Sequence, residues 1–439
     1  MSRNFFPSKL PLLLSALALT ACGPSDSGAP ESEEALRERA RGIHERVITM
    51  DTHDDISPAD FTEERNYTMD LPTQVNLPKM EAGGLDVAWF VVYVGQADLT
   101  GEGYANAYQQ AVRKFEAIHH FTEDIAPDRV ELALTSDDVR RIVASGRKVA
   151  MIGVENGYSI GTDLSRIREF HERGARYLSL AHNGHSQLSD SNTGERTDEW
   201  LHGGLSELGR QAVVELNRWG IMIDISHPSK DAIMQMLELS RAPLIASHSS
   251  ARALSDVSRN LDDEQLRAIK ENGGVVQAVA LASYVNQEKA SAHREALSAL
   301  QASIAEEMGV EVVDRRTLFS KSEEERAAYR DAFQPVQDAV EARMSEVNAV
   351  APPVDVSDFV DHIDYLVQVM GVEHVGISSD FDGGGGVQGW DDASESFNVT
   401  LELVRRGYTE EEIGMLWSGN LLRVLDEVQA VAAEIQAGG

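Results

Sequence analysis

Five consecutive residues, Asp51-Thr52-His53-Asp54-Asp55, put one imidazole and three carboxylates at the end of an apolar run, Val47 to Met50. A solvated turn has no need of that density of metal-binding groups, whereas a strand tip opening into a metal site does. His53 and Asp55 are two apart on an extended segment, so their side chains leave on the same side and can hold one ion together. Asp51 and Asp54 read as supports around that pair.

Similar groups close five later apolar runs. Glu155 ends Ile152-Gly-Val-Glu, His182 ends Leu178-Ser-Leu-Ala-His, and His227 ends Ile223-Asp-Ile-Ser-His. His248 follows Ile245-Ala-Ser, and Asp380 follows Ile377-Ser-Ser, with Asp382 two residues on. Imidazoles and carboxylates without a thiolate suit Zn²⁺ better than other first-row metals. Their number exceeds what one catalytic zinc needs, so two zinc ions sharing a bridging carboxylate are expected. Glu155 is the natural bridge, because in chain order it stands between the groups of the first strand and the later histidines.

Elements that could present these groups together are legible in the alternation of short Val/Ile/Ala-rich runs with helical patterns, the mark of βαβ units and a parallel sheet. Eight runs qualify as strands: 47–53, 85–94, 149–155, 175–181, 220–226, 242–247, 273–281 and 374–379. Helices are expected at Ala105–Phe121, Leu164–Glu172, Ser206–Trp219, Ser229–Leu239 and Asp262–Glu271, with Ser206 and Ser229 as N-caps. The result is an α/β fold, a (β/α)8 TIM-type barrel, whose C-terminal rim gathers residues from different strands. An open doubly wound sheet lacks support, since no G-x-G-x-x-G follows the first strand. The barrel domain is expected over 37–430. Residues 285–353, charged and helix-prone, read as a helical insertion after the seventh strand that serves as cover, lid or homodimer surface.

At a formal charge of −33, the 439-residue chain has no basic face for nucleic acid. Hydrophobic residues at 42% and charged ones at 25% describe a folded globular protein. Arg3, Lys9 and the apolar run from Leu10 to Ala21 read as a signal peptide, residues 1–21, too short to span a bilayer. Leu19-Thr-Ala-Cys22 resembles a bacterial lipobox, so Cys22 is expected to carry a lipid that anchors an exported, periplasm-facing protein to the membrane, with outer-membrane sorting favoured. Residues 22–36 would be the tether. Cys22 is the single cysteine, which excludes an intrachain disulfide.

As an ensemble, Asp51-Thr-His-Asp-Asp, Gly153-Val-Glu-Asn-Gly, Leu180-Ala-His-Asn, Asp224-Ile-Ser-His, Ser247-His-Ser-Ser-Ala, Ser258-Arg-Asn and Ser379-Asp-Phe-Asp-Gly resemble the motifs of the membrane dipeptidase family (renal dipeptidase, peptidase M19) of the metal-dependent amidohydrolases. The likeness runs from about residue 44 to about 426. It implies that His53 and Asp55 bind one zinc, that Glu155 bridges, and that His227 and His248 bind the second. It further implies that His182 and Arg259 contact a small dipeptide substrate and that Asp380 is the catalytic acid. The activity implied is dipeptide hydrolysis, including dipeptides of L-Xaa-D-Xaa type, by water activated between the metals. An amidohydrolase acting on β-lactams or N-acyl amino acids is the alternative reading, and a non-catalytic peptide-binding lipoprotein a third. The sequence departs from the animal enzymes in lacking their disulfides, in its N-terminal lipid in place of a C-terminal glycolipid, and in the 285–353 insertion.

Overall fold

Strands buried on both faces need no polar alternation, and the apolar runs here form such strands. The computed structural model describes Met1 and residues 31–438 apart from 315, 316, 319 and 320. Its strands are β1 (Met50–Asp55), β2 (Val87–Tyr93), β3 (Val130–Leu132), β4 (Lys148–Glu155), β5 (Ala175–Ser179), β6 (Met222–Asp224), β7 (Ile245–Ala246), β8 (Val275–Val279) and β9 (Val375–Ser378). Eight of them run parallel in the order β1-β2-β4-β5-β6-β7-β8-β9. The Asp55 N–H donates to the Phe381 carbonyl at 2.9 Å, which brings the last strand's end back to the first and nearly closes the barrel.

All eight expected strands are present, most of them shorter than the apolar runs that announced them. Strand β3 was not expected; its three residues pair with Lys148–Ala150 on the edge of β4 that β5 takes up only from Ile152. Alternate residues of β2 face opposite ways. Val87 and Trp89 join Met50, Met151, Tyr177, Met222 and Ile245 in one core cluster, which Leu421 and Leu425 of the terminal helix Asn420–Gly438 also enter. Ala88, Phe90 and Val92 instead pack in the larger cluster shared with the surrounding helices.

The expected helices are observed as Gly101–His120, Ser165–Glu172, Glu207–Trp219, Lys230–Leu239 and Asp263–Glu271. Ser206 and Ser229 cap theirs by accepting from the amides of Gly209 and Ala232. Between β8 and β9 the insertion forms helices Gln287–Met308, Glu323–Ala342 and Met344–Val350, with a small core of Ile304, Phe333, Val336 and Val340. Cys22 and the signal segment, Met1 apart, lie outside the described residues. The tether boundary moves: Glu33–Leu36 belong to helix Glu33–His44, because Ser32 accepts from the Ala35 amide and two glutamates occupy the first turn. Among the described residues no helix is long and apolar enough to cross a membrane.

Candidate active site

Every rim residue singled out in the sequence converges at the C-terminal ends of the strands. Glu155, the last residue of β4, is the centre. Its Oε1 lies 2.9 Å from Nε2 of His227 and 3.4 Å from Nε2 of His248. Its Oε2 lies 3.6 Å from Nε2 of His53 and 3.9 Å from Nε2 of His182. Potential ligand atoms of His53, Asp55 and Glu155 lie within 4.8 Å of one another, as do those of Glu155, His182 and His227, and those of His53, His248 and Asp380. One carboxylate thus faces two sets of ligands, one on each oxygen.

The surroundings prepare two imidazoles as ligands. Tyr177 donates its hydroxyl hydrogen to the Thr52 carbonyl, so at 3.0 Å from Nδ1 of His53 it accepts the ring N–H and leaves Nε2 as the nitrogen turned toward the cluster. Ser247 donates to Oδ2 of Asp224 and, at 2.8 Å from Nδ1 of His248, does the same for that ring. Asp224 is itself held by the Ser226 hydroxyl and the Ser247 amide. Nε2 of His53, Oδ1 of Asp55 and Oε1 of Glu155 are buried with no hydrogen-bond partner among the described residues. Buried polar atoms left unpaired are costly, and cations bound on the two sides of Glu155 would remove the cost. The donor set fits a metal.

Charge in the cluster is strongly coupled. Burial opposes protonation of His53, but Glu155, Asp380 and Asp55 overrule it and hold the ring at about 9. Burial, with Glu155 adding, lifts Asp55 to about 6. Glu155 is held well below the ordinary carboxylate range, because His182, His53 and His227 outweigh its burial. His227 and His248 are driven well below the usual imidazole value, chiefly by burial. Burial raises Asp380 to about 8, with Asp55 and Glu155 adding to it against His53.

Asp380 and Asp382 separate clearly. Asp380 sits in the left-handed region at φ 62°, with its carbonyl accepting from Gly383 and Gly385, and its carboxyl lies 3.9 Å from His53. Asp382 spends its carboxylate on the amides of Gln74 and Val75. The Gly383–Gly386 run is a hydrogen-bonded turn, with Gly386 also donating to the Ala280 carbonyl. A Cβ on Gly383 would stand 2.5 Å from Asp380 and 2.6 Å from Asp55, so only glycine lets these carboxylates share the space.

Arg259 is buried, stacked over the Tyr284 ring at 5.3 Å, and donates to the carbonyls of Ser226 and His248; its Nε has no partner among the described residues. Surface pairing with Asp256 or Asp262 does not occur, since Arg252 and Lys230 take those acids. His182 packs against Tyr93 and His227, and its pKa is lowered by burial. Asp51 accepts from the Ser379 and His53 amides, and Asp54 is buried beside it. His185, Asp190 and His202 shape a loop: Asp190 contacts His185 at 3.1 Å and accepts from the amides of Leu201, His202 and Gly204.

Asp55, Glu155, His182, His227, His248, Arg259 and Asp380 border a cavity of about 160 Å³, with Leu281 and Tyr284 also in its wall. The profile of the membrane dipeptidase family, peptidase family M19, matches residues 37–439. The chain belongs to this family. Membership makes it a hydrolase of the dipeptidase type with a metal cofactor. The M19 chain is 32% identical to the probable dipeptidase PvdM from Pseudomonas aeruginosa, with a TM-score of 0.73 over 91% of this chain and 100% of that one. It is 30% identical to dipeptidase aclJ of Aspergillus oryzae over 83% of this chain and 72% of that protein. To human dipeptidase 3 it is 28% identical, over 93% and 71% respectively.

Sequence reasoning missed several parts of this M19 site. Tyr93 ends β2, the one early barrel strand for which no rim residue was named, and that gap was the available signal. Asp224 stood inside a quoted motif without a role. Tyr177 and Tyr284 gave no signal, because their partners are distant in sequence.

Proposed function

We propose that this M19 protein is a two-zinc dipeptidase that cleaves the amide bond of short substrates with a free C-terminal carboxylate, L-Xaa-D-Xaa dipeptides among them. The carrying observation is Glu155, whose two oxygens face different histidine sets. His53 and Asp55 would hold one ion, His227 and His248 the other, with Glu155 common to both. Bound there, the ions would lower the pKa of water toward neutrality and polarise the amide carbonyl.

The chain's own groups supply the rest. Arg259, which lines the cavity and whose Nε–H has no partner among the described residues, binds the C-terminal carboxylate, so that longer chains are excluded. His182, neutral because burial lowers its pKa, donates a ring N–H to the carbonyl oxygen as that oxygen gains charge, a contribution of about 3–4 kcal/mol. Asp380 takes a proton from the attacking water and returns it to the departing amine nitrogen. Leu281 and Tyr284 limit water around the amide.

The test is a dipeptide panel with L,L and L,D members, assayed on protein whose metals have been quantified. Zinc-dependent release of amino acids is expected. Hydrolysis confined to β-lactams or N-acyl amino acids would overturn the assignment. The lipobox supports a further part of the proposal, an exported lipoprotein anchored through Cys22. Palmitate labelling in cells, lost in Cys22→Ser, checks it.

A further inference from the structure

A second cavity, of about 420 Å³, opens beside the first and meets it at Asp55, Tyr93 and Gly383. Ile56 and Tyr67 give it apolar wall, and its ionic lining is Asp55, Asp60, Asp382 and Lys114. The acids are already engaged. Asp60 pairs with Arg65, Asp382 accepts from the amides of Gln74 and Val75, and Asp55 faces His53 and Glu155 in the ligand cluster. Lys114 differs: it reaches in from helix Gly101–His120, half-buried, with Nζ 5.5 Å from the centroid of the Tyr93 ring. Among the described residues it has no ion-pair or hydrogen-bond partner.

A half-buried ammonium without a partner is a poor structural element and a good receptor for an anion. Position decides which anion. Arg259 borders only the smaller cavity and Lys114 only the larger; the ligand cluster lines the smaller one, with Asp55 common to both. A dipeptide with its C-terminal carboxylate on Arg259 and its amide at the cluster directs its N-terminal residue toward the larger cavity. We infer that Lys114 makes this cavity the pocket for the N-terminal side chain and selects an acidic one, aspartate or glutamate. The methylene groups would lie along Ile56 and Tyr67, and the carboxylate would meet Nζ. Burial pulls the lysine pKa down, and a carboxylate guest favours its charged form.

The inference rests on the dipeptidase reading, and one experiment separates the two. Metal-loaded enzyme is assayed with Glu-Ala, Ala-Ala and Lys-Ala. Wild type is expected to prefer Glu-Ala over Lys-Ala by about 100-fold, the scale of a desolvated charge pair against a like-charge clash. In Lys114→Met the ratio of kcat/KM for Glu-Ala to that for Ala-Ala should drop about 10- to 100-fold. Lys114→Glu should invert the Glu-Ala to Lys-Ala order, and Lys114→Arg should keep the wild-type order. A wild type indifferent to the N-terminal charge overturns the inference, as does a Lys114→Met that slows Glu-Ala and Ala-Ala alike at full metal content. Wild type that hydrolyses none of the three overturns the dipeptidase reading itself.

Discussion

The hydroxyl of Ser247 lies 2.8 Å from Nδ1 of His248 and donates its own hydrogen to Asp224. That chain fixes the ring tautomer, because a hydroxyl whose proton is committed to a carboxylate can only accept from the imidazole. Ser247→Ala or Asp224→Asn should therefore keep every ligand and still weaken metal binding about 10- to 100-fold, the usual cost of losing a group that orients a ligand. Competition with a chelator of known affinity measures it. Unchanged affinity would mean that His248 is held by packing alone.

His227→Ala removes a nitrogen 2.9 Å from Oε1 of Glu155. Under the proposed two-ion arrangement one ion should be lost and turnover abolished, while the His53 side, which faces Oε2 of Glu155, should keep its ion. Metal content per chain, read beside activity, distinguishes this from general unfolding. Wild-type activity at full metal content would remove His227 from the ligand set.

Asp380→Asn keeps the shape of the group and removes its proton chemistry. Metal content should stay near wild type while kcat falls about 10²- to 10⁴-fold, the range for loss of a general acid–base. Asp382→Asn should act differently, by loosening the turn at Gln74 and Val75 and so lowering stability. A mild effect at Asp380 would move the proton-transfer role elsewhere.

The barrel and the residues that meet at its rim were legible in the sequence for a single reason. Strands buried on both faces must be apolar, so polar groups at their C-terminal ends stand out, and Glu155, His227 and His248 were found that way. Contacts that reach across the barrel left no such trace. Tyr177 orients His53 from 124 positions away, and no local pattern encodes that meeting. Lys114 looked like any charged residue on an amphipathic helix until the fold brought it beside Tyr93. Strand limits erred outward, as at 242–247 against Ile245–Ala246, because apolar residues continue past the last ladder pairing. Val130–Leu132 was missed because three residues carry no period.

Stability of the metal-free protein should fall as pH rises from about 6.5 to 9. In that window the folded state holds protons on Asp380, up to about 8, and on His53, up to about 9, that the unfolded chain has released. Each such proton tilts stability by about 1.4 kcal/mol per pH unit. His227 and His248, with pKa values depressed by burial, act the opposite way, but only below the unfolded histidine value near 6.5. Metal binding needs the deprotonated ligands, so the loaded protein should diverge upward from the metal-free one across the same window. Paired melting curves at pH 6.5 and 9 measure it; parallel curves would show that these protons do not distinguish folded from unfolded chain.

Gly153 offers the sharpest link between packing and chemistry. A Cβ there would fall 1.9 Å from Cζ and 2.4 Å from the hydroxyl oxygen of Tyr177, a ring fully buried and stacked on Trp89 at 5.1 Å. Fully buried and stacked on Trp89, the ring has little room to move, so Gly153→Ala should push the Tyr177 hydroxyl off Nδ1 of His53. The cost in stability should be about 1–3 kcal/mol, as for other overpacked cores. In the proposed two-ion site, binding at His53 and Asp55 should weaken more than binding at His227 and His248, because Ser247 and Asp224, which support His248, are untouched. Sequential metal titration of the variant checks this: equal weakening at both positions would show that Tyr177 serves the barrel core and not the His53 ring.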